Sequence, residues 1–393
     1  MSSFDVIVVG AGVIGSCTAY QLAKSGVNTL MIEQFPLPHS RGSSYGQTRL
    51  TKRSHRKPYM SDLVPESIAF WKSLEKDYGT QLLMQTGHLS IANSEKTNHV
   101  LEPMKTNLRN SNVDYTEFHG RDIGIAFPGL EFDSSFGAFF EPNGFTIKAT
   151  KCLHALQSEF VKHGGTLQEN EKVIEVKHLS ANSVSIRTDS HKVYYAKSVV
   201  LACGPWINTV LRPFGIQLEL QPVRVITYYW REKTVGKYSI HNNFPPFMVY
   251  FGVYHVYSTP SYEYPGLIKI CYHYRAPVDP DAPDLLDKES EKAEVERLGI
   301  LKQLIAKHFP QLESVPVLTE NALQTITPNS DFIIDRLPGF PNIVIGAGFS
   351  GAGFGPAPAI GRALSRLATF QDPGQDMKVF KLGSRFVYNK AKL

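Results

Sequence analysis

The first apolar segment, Phe4 to Val9, has almost no polar position, as a strand buried on both faces of a parallel sheet does. It runs into Gly10-Ala11-Gly12-Val13-Ile14-Gly15, after which the apolar spacing changes. Ala19, Leu22 and Ala23 then fall on one face of a helix that Gly26 stops. A second apolar run, Thr29 to Ile32, ends at Glu33. Farther along, Ser183 to Arg187 and Lys192 to Ala196 read as the arms of a hairpin. The second arm continues as an apolar strand to Gly204, followed by Pro205 and Trp206. Near the end, Asn342 to Gly351 is again a strand entering a glycine turn, ahead of a helix over Ala359 to Leu367. The long middle section is rich in aromatic and β-branched residues and predicts sheet.

The opening strand, turn, helix and strand predict a dinucleotide site. Gly10 allows the tight turn, Gly12 lets the backbone approach a pyrophosphate, and Gly15 lets helix and strand pack closely. The helix N-terminus offers N–H donors to phosphates. Glu33 can accept from the hydroxyls of an unmodified ribose, which disfavours NADP. This unit alone leaves FAD and NAD open. No strand–helix–strand unit ending in an acid follows the second glycine turn. Gly348, Gly351 and the helix behind them are therefore expected to point at a flavin ring, whose reduced form carries negative charge. The strand to Gly204 suits a place beneath the nucleotide, although a generic core strand has the same pattern. Nucleotide-type segments at both ends, with sheet between, favour FAD and a cofactor domain built from both termini.

Composition narrows the class. A chain of 393 residues with 42% hydrophobic and 20% charged residues can bury a full core in two or three domains. Lys plus Arg exceeds Asp plus Glu by 41 − 36 = 5, mostly spread along the chain. The densest basic run, Lys52, Arg53, His55, Arg56 and Lys57, reads as a solvated loop or as cations near an anionic ligand. No nucleic-acid reader motif accompanies it. Cys17, Cys152, Cys203 and Cys271 lie too far apart for a disulfide framework or a zinc site, so no metal is expected and a reducing compartment is. No apolar run approaches the roughly 18 residues of a membrane span, and the N-terminus reads as strand rather than signal peptide. Ala391-Lys392-Leu393 is a close variant of a peroxisomal address read by an import receptor, on a polar stretch from Arg385 expected to be free; an ordinary basic tail is the alternative.

With these motifs goes a longer set: Gly42 to Arg49, Gly204 to Trp206, Trp230 to Glu232, Lys269 to His273, Thr327 to Arg336 and Gly346 to Gly353. Together they make the chain resemble the monomeric sarcosine oxidase and peroxisomal sarcosine/L-pipecolate oxidase family of flavoprotein amine oxidases, from about residue 4 to residue 370. The resemblance implies an α/β fold, with a Rossmann-type, glutathione-reductase-like FAD domain and an inserted mixed β-sheet substrate domain. The FAD domain would span 1–85, 145–215 and 320–385, the substrate domain 86–144 and 216–319, and a tail with the targeting signal 386–393. It places Gly10, Gly12, Gly15, Glu33, Ser43, Arg49, Val173, Gly204, Trp206, Gly348 and Gly351 at the cofactor. The implied chemistry is oxidation of a small secondary amine or an N-methyl or cyclic amino acid to an imine, with oxygen reduced to hydrogen peroxide. Peroxisomal targeting suits a peroxide producer.

The resemblance also assigns roles. Lys269 matches a lysine that activates oxygen, His273 a histidine near the substrate and Tyr257 a pocket tyrosine. Each also reads as an ordinary strand or core residue, and Arg49 as a surface arginine. Positions 269, 271 and 273 share one face of a strand. Several residues depart from the pattern. Ala322 stands where the family tethers its flavin through cysteine, which implies noncovalent FAD. Gln324 replaces an aromatic, Gly355 a lysine that helps hold the substrate carboxylate, Lys52 an arginine of the same clamp, and Ala352 a frequent histidine. A lapsed flavoprotein that only binds FAD, or a flavin dehydrogenase using another acceptor, are the alternative functions.

Overall fold

The strand Ser3–Val9 sits inside an eight-stranded sheet, paired in parallel with Thr29–Ile32 on one side and Val193–Leu201 on the other. The structure is a computed structural model that describes residues 3–388 apart from 252, 253, 263 and 274. Thr166–Gln168 and Phe340–Ala347 extend the parallel set at its two flanks. Val6 to Val9 and Leu30 to Ile32 are buried, as their unbroken apolar runs require. The hairpin forms where expected, with Ser183–Thr188 antiparallel to the start of Val193–Leu201. Helices Val13–Lys24, Ala149–Lys162 and Ala357–Ala368 share one core, closed by Tyr20, Cys152, Phe160 and Leu364. Every parallel strand therefore releases its next loop at the same edge, where Gly10, Glu33, Ala202 and Gly348 follow their strands. In sheets of this kind that edge is the ligand crevice.

A nine-stranded mixed sheet forms the second part. Phe247–Phe251 pairs in parallel with His88–Asn93 and antiparallel with Tyr254–Thr259, which continues into Leu267–Tyr272 and then Gln221–Glu232. Helix Lys288–His308 covers one face, burying Leu301, Leu304 and Ile305 against Trp230, Ile268 and Ile270. Because side chains alternate along a strand, Lys269 and Cys271 emerge on the opposite face. A small sheet of Thr48–Thr51, Phe145–Lys148 and Leu83–Gln85 carries the chain between the two parts.

Two stretches sit differently from the expected division. Leu312–Ile326 pairs along its length with Gln221–Glu232, so residues 320–326 continue the nine-stranded sheet. Ile216–Leu218 pairs with Phe386–Tyr388, so the chain remains in the fold past residue 385. The free polar stretch is correspondingly shorter than expected: Arg385 donates to the carbonyls of Phe332 and Phe380 at 2.9 and 3.0 Å. Ala391, Lys392 and Leu393 lie outside the described residues. Among the described residues no helix is long and apolar enough to cross a membrane, and no cluster of His, Cys, Asp and Glu could hold a metal ion.

Candidate active site

A cleft of about 1290 Å³, counting the space open to solvent, lies at the carboxyl edge of the parallel strands, where sheets of this kind bind their ligands. Gly10, Gly12 and Val13 line it from the glycine turn, with Glu33, Val173, Gly204 and Trp206 around them. Ser43, Arg49, Gln324, Ser350, Gly351 and Phe354 complete the wall. Steric crowding sets the turn: Gly10 has φ +102°, and a Cβ added there would stand 2.5 Å from the carbonyl oxygen of Ala202. A Cβ on Gly15 would stand 1.8 Å from the Gly10 carbonyl oxygen. No other residue lets helix, turn and sheet approach this closely.

Glu33 is buried at the end of its strand, and its carboxylate accepts from the Ala11 N–H at 2.8 Å and the Phe35 N–H at 3.1 Å. The Val13 N–H donates to Ser44 Oγ at 3.0 Å. An acceptor suited to ribose hydroxyls thus adjoins helix-start amides suited to a pyrophosphate. Arg49 ties the facing loop together. Its guanidinium donates to the carbonyls of Ser43, Tyr45 and Thr48, each at 2.8 Å, and lies 5.7 Å over the Phe354 ring. Burial pulls the Arg49 pKa down from its ordinary value. Trp206 is pinned by donating its indole N–H to Asp281 at 2.9 Å. These residues fit a dinucleotide of the FAD kind. Two expected cofactor residues stand back from the wall. Gly15 acts through helix packing, and Gly348, with φ +67°, turns the chain so that Phe349 and Ser350 reach the cleft.

The face of the nine-stranded sheet opposite helix Lys288–His308 carries the remaining expected residues. Lys269, only 6% exposed, donates to the carbonyl oxygen of Thr48 at 2.8 Å. His273 stacks on His255 with ring centroids 4.0 Å apart, and Tyr257 meets His273 edge-on at 6.3 Å. Burial holds His273 well below the ordinary histidine value and His255 at about 4, so both are neutral near pH 7. Burial, with Cys271 beside it, raises the Tyr257 phenol well above its usual value. Lys52 is buried, with Nζ 3.6 Å from the Met248 sulfur, and desolvation pushes its pKa down to about 8 despite the opposing pull of Glu141. The Met248 sulfur also accepts from the Tyr250 hydroxyl at 3.2 Å, and the Tyr250 ring is 5.7 Å from His255. Lys52 therefore joins the His255, His273 and Tyr257 group through packed neighbours, while Gln324 belongs to the cofactor wall.

Three neighbours were not singled out from sequence. Thr48 receives Lys269, and its Oγ lies 2.7 Å from Thr259 Oγ. His255 is two positions from Tyr257 on one strand, and Arg275 two beyond His273. The two-residue period of a strand, counted back from Tyr257, could have found His255. Gly355 leaves no lysine here, and a Cβ on it would stand 2.9 Å from Thr51 Oγ1.

Comparison with known proteins agrees with this geometry. The family model described as FAD dependent oxidoreductase matches residues 5–367. The chain is 38% identical to human peroxisomal sarcosine oxidase, covering 98% of this chain and 96% of that one. It is 31% identical to monomeric sarcosine oxidase of Bacillus sp. strain NS-129, covering 96% of each. The fold matches that of NikD, described as an unusual amino acid oxidase essential for nikkomycin biosynthesis, with TM-score 0.84, 23% identity and coverage of 97% of this chain and 98% of that chain. The glycine cradle, the buried acid beside it and the match over nearly the whole length lead to one statement: this chain belongs to the FAD-dependent oxidoreductase family.

Proposed function

We propose that the protein is an FAD-dependent oxidase of a small secondary amine or an N-methyl or cyclic amino acid, producing an imine and hydrogen peroxide. The relatives in human and Bacillus are named sarcosine oxidases, which supports this substrate class. One observation carries the reading: a buried cation, Lys269, is held against the backbone of the residue that precedes the cleft-lining Arg49. A fixed positive charge there stabilises negative charge as oxygen accepts electrons. The bound flavin would supply the two-electron acceptor. The amine loses a hydride equivalent from carbon and a proton from nitrogen, and water then splits the imine. Tyr257 keeps its proton and can donate a hydrogen bond, while the neutral His255 and His273 pair can take or give one without adding charge.

The flavin is held without a covalent bond in this reading, because Ala322 offers no nucleophile. Gly10, Gly12 and Glu33 bind its nucleotide half, and Arg49 and Gly351 flank its ring. Lys52 faces the substrate from beside His255, and Gln324 reaches it from the cofactor wall. Ala391-Lys392-Leu393 would be read by the peroxisomal import receptor, and the human and mouse relatives are both named peroxisomal.

The test is anaerobic mixing of the purified holoenzyme with sarcosine, pipecolate, proline and a non-carboxylated secondary amine. Bleaching of the flavin by at least one of them, with peroxide formed when air is admitted, is expected. No bleaching by any of them would leave a flavoprotein without this activity. Bleaching with reoxidation by an artificial dye but not by oxygen would make it a dehydrogenase.

A further inference from the structure

One cation at the cleft has no acidic partner among the described residues. Arg275 follows the strand Leu267–Tyr272 and is half-buried. One of its terminal nitrogens donates to the Ser350 carbonyl oxygen at 2.7 Å. A Cβ added to Gly351 would stand 3.2 Å from that same nitrogen and 3.0 Å from Gln324 Oε1. Ser350, Gly351 and Gln324 all line the cofactor cleft, so the guanidinium sits at its wall. On the other side it faces the substrate group: its charge lowers the proton affinity of His255 and His273, and Tyr257 is near enough to act on it in turn. Arg275 thus bridges the cofactor wall and the stacked histidines.

The guanidinium is under-used. Its Nε is buried and has no hydrogen-bond partner among the described residues. No described carboxylate lies within ion-pair range of it, and the surrounding groups are a phenol, two histidines, an amide and a carbonyl. Leaving a cation desolvated with an unspent donor is costly unless something else supplies the counter-charge. A guanidinium presents its donors in a planar fork that matches a carboxylate. Lys52 adds a second positive charge, and His255 feels both cations.

We propose that Arg275 binds the carboxylate of the substrate, making it a specificity-determining residue that selects amino acids over uncharged amines. This rests on the amine-oxidase reading above and deepens it. Arg275 stands beyond the strand Leu267–Tyr272 and Lys52 just beyond Thr48–Thr51, so the anion is gripped from the end of the sheet that also presents His273.

The experiment uses the FAD-loaded protein and methoxyacetate, in which an ether oxygen replaces the amine nitrogen so that no C–N bond can be oxidised. Neutral methoxyacetamide is the control. Dissociation constants come from perturbation of the flavin absorbance and from calorimetry, neither of which needs turnover. Methoxyacetate is expected to bind the wild-type protein and to bind Arg275→Met about 10- to 100-fold more weakly, the range for losing a hydrogen bond to a charged group. Methoxyacetamide should change less than about twofold, and Arg275→Lys should recover part of the loss. Flavin content and near-ultraviolet circular dichroism report folding, and Arg275→Gln is read instead should the Met variant fail to fold. The proposal is overturned if methoxyacetate does not bind the wild type, or if its affinity is unchanged in a folded variant. It is equally overturned if the substitution shifts only the flavin reduction potential. Arg275-dependent binding without flavin reduction by any amine would leave the anion site standing and remove the amine-oxidase reading.

Discussion

Lys269 and Thr48 join the two halves of the molecule through a 2.8 Å hydrogen bond from the lysine ammonium to the threonine carbonyl. Thr259, the cross-strand neighbour of Lys269, meets the Thr48 hydroxyl at 2.7 Å. Arg49 follows Thr48 and lines the cofactor cleft. The nine-stranded sheet therefore delivers a buried lysine to the residue that precedes the cleft wall.

The first prediction tests that charge. In Lys269→Met the isosteric side chain keeps much of the packing and removes the cation. Reoxidation of reduced flavin by oxygen should slow about 100-fold or more, the scale of losing one preorganised electrostatic contact. Flavin reduction by substrate should change far less. Stopped-flow measurement of the two half-reactions separates them, and equal slowing of both would remove the oxygen role from Lys269.

Glu33 offers a second test, on cofactor affinity. Its carboxylate accepts from Ala11 and Phe35 amides and is buried. Glu33→Gln keeps the shape, loses the charge and turns one acceptor into a donor. FAD affinity should fall about 10- to 100-fold, as expected for one or two charge-assisted hydrogen bonds. Fluorescence titration of the apoprotein reads the change; an unaltered dissociation constant would place the ribose elsewhere.

The parts of this site that could be read from the sequence are those set by steric necessity. The Gly10 to Gly15 spacing, the apolar runs and Glu33 carry their geometry locally, so turn, helix and acid stand where the pattern puts them. The long strand Leu312–Ile326 was harder to place because its alternation is indifferent to which sheet it joins. Pairing with Gln221–Glu232 decides that, and pairing is a long-range choice. The Ile216–Leu218 pairing with Phe386–Tyr388 is similarly nonlocal. Arg275 was invisible for a different reason. A lone arginine beyond a strand carries no motif, and only the folded juxtaposition with Ser350 and Gly351 gives it meaning.

Lys52 predicts a pH dependence of stability. Its ordinary value is 10.5, and burial brings it to about 8 in the folded protein. Between those two values the unfolded chain binds more protons than the folded one, so folding stability rises with pH across the window. Below pH 8 the cost of burying the charged lysine is paid in full. Lys52→Met removes that cost, which is on the order of 3 kcal/mol for a shift of this size. Urea unfolding at several pH values should show the wild type gaining on the variant as pH climbs from about 8 towards 10. A constant difference would mean that Lys52 is not desolvated as its burial implies.

The flavin linkage gives the last prediction. Ala322 is half-buried on the strand that presents Gln324 to the cleft, and the two side chains share a face because they are two residues apart. Acid precipitation of the wild-type holoenzyme should release all the yellow colour into the supernatant. A thiol introduced by Ala322→Cys would project from the face that carries Gln324, and part of the flavin should then remain with the pelleted chain. Intact mass measurement should find a species heavier by one FAD. Wild-type pellets that stay yellow would overturn noncovalent binding and point to a different tether. A colourless Ala322→Cys pellet, with FAD bound before precipitation, would show that this strand position does not reach the flavin ring edge.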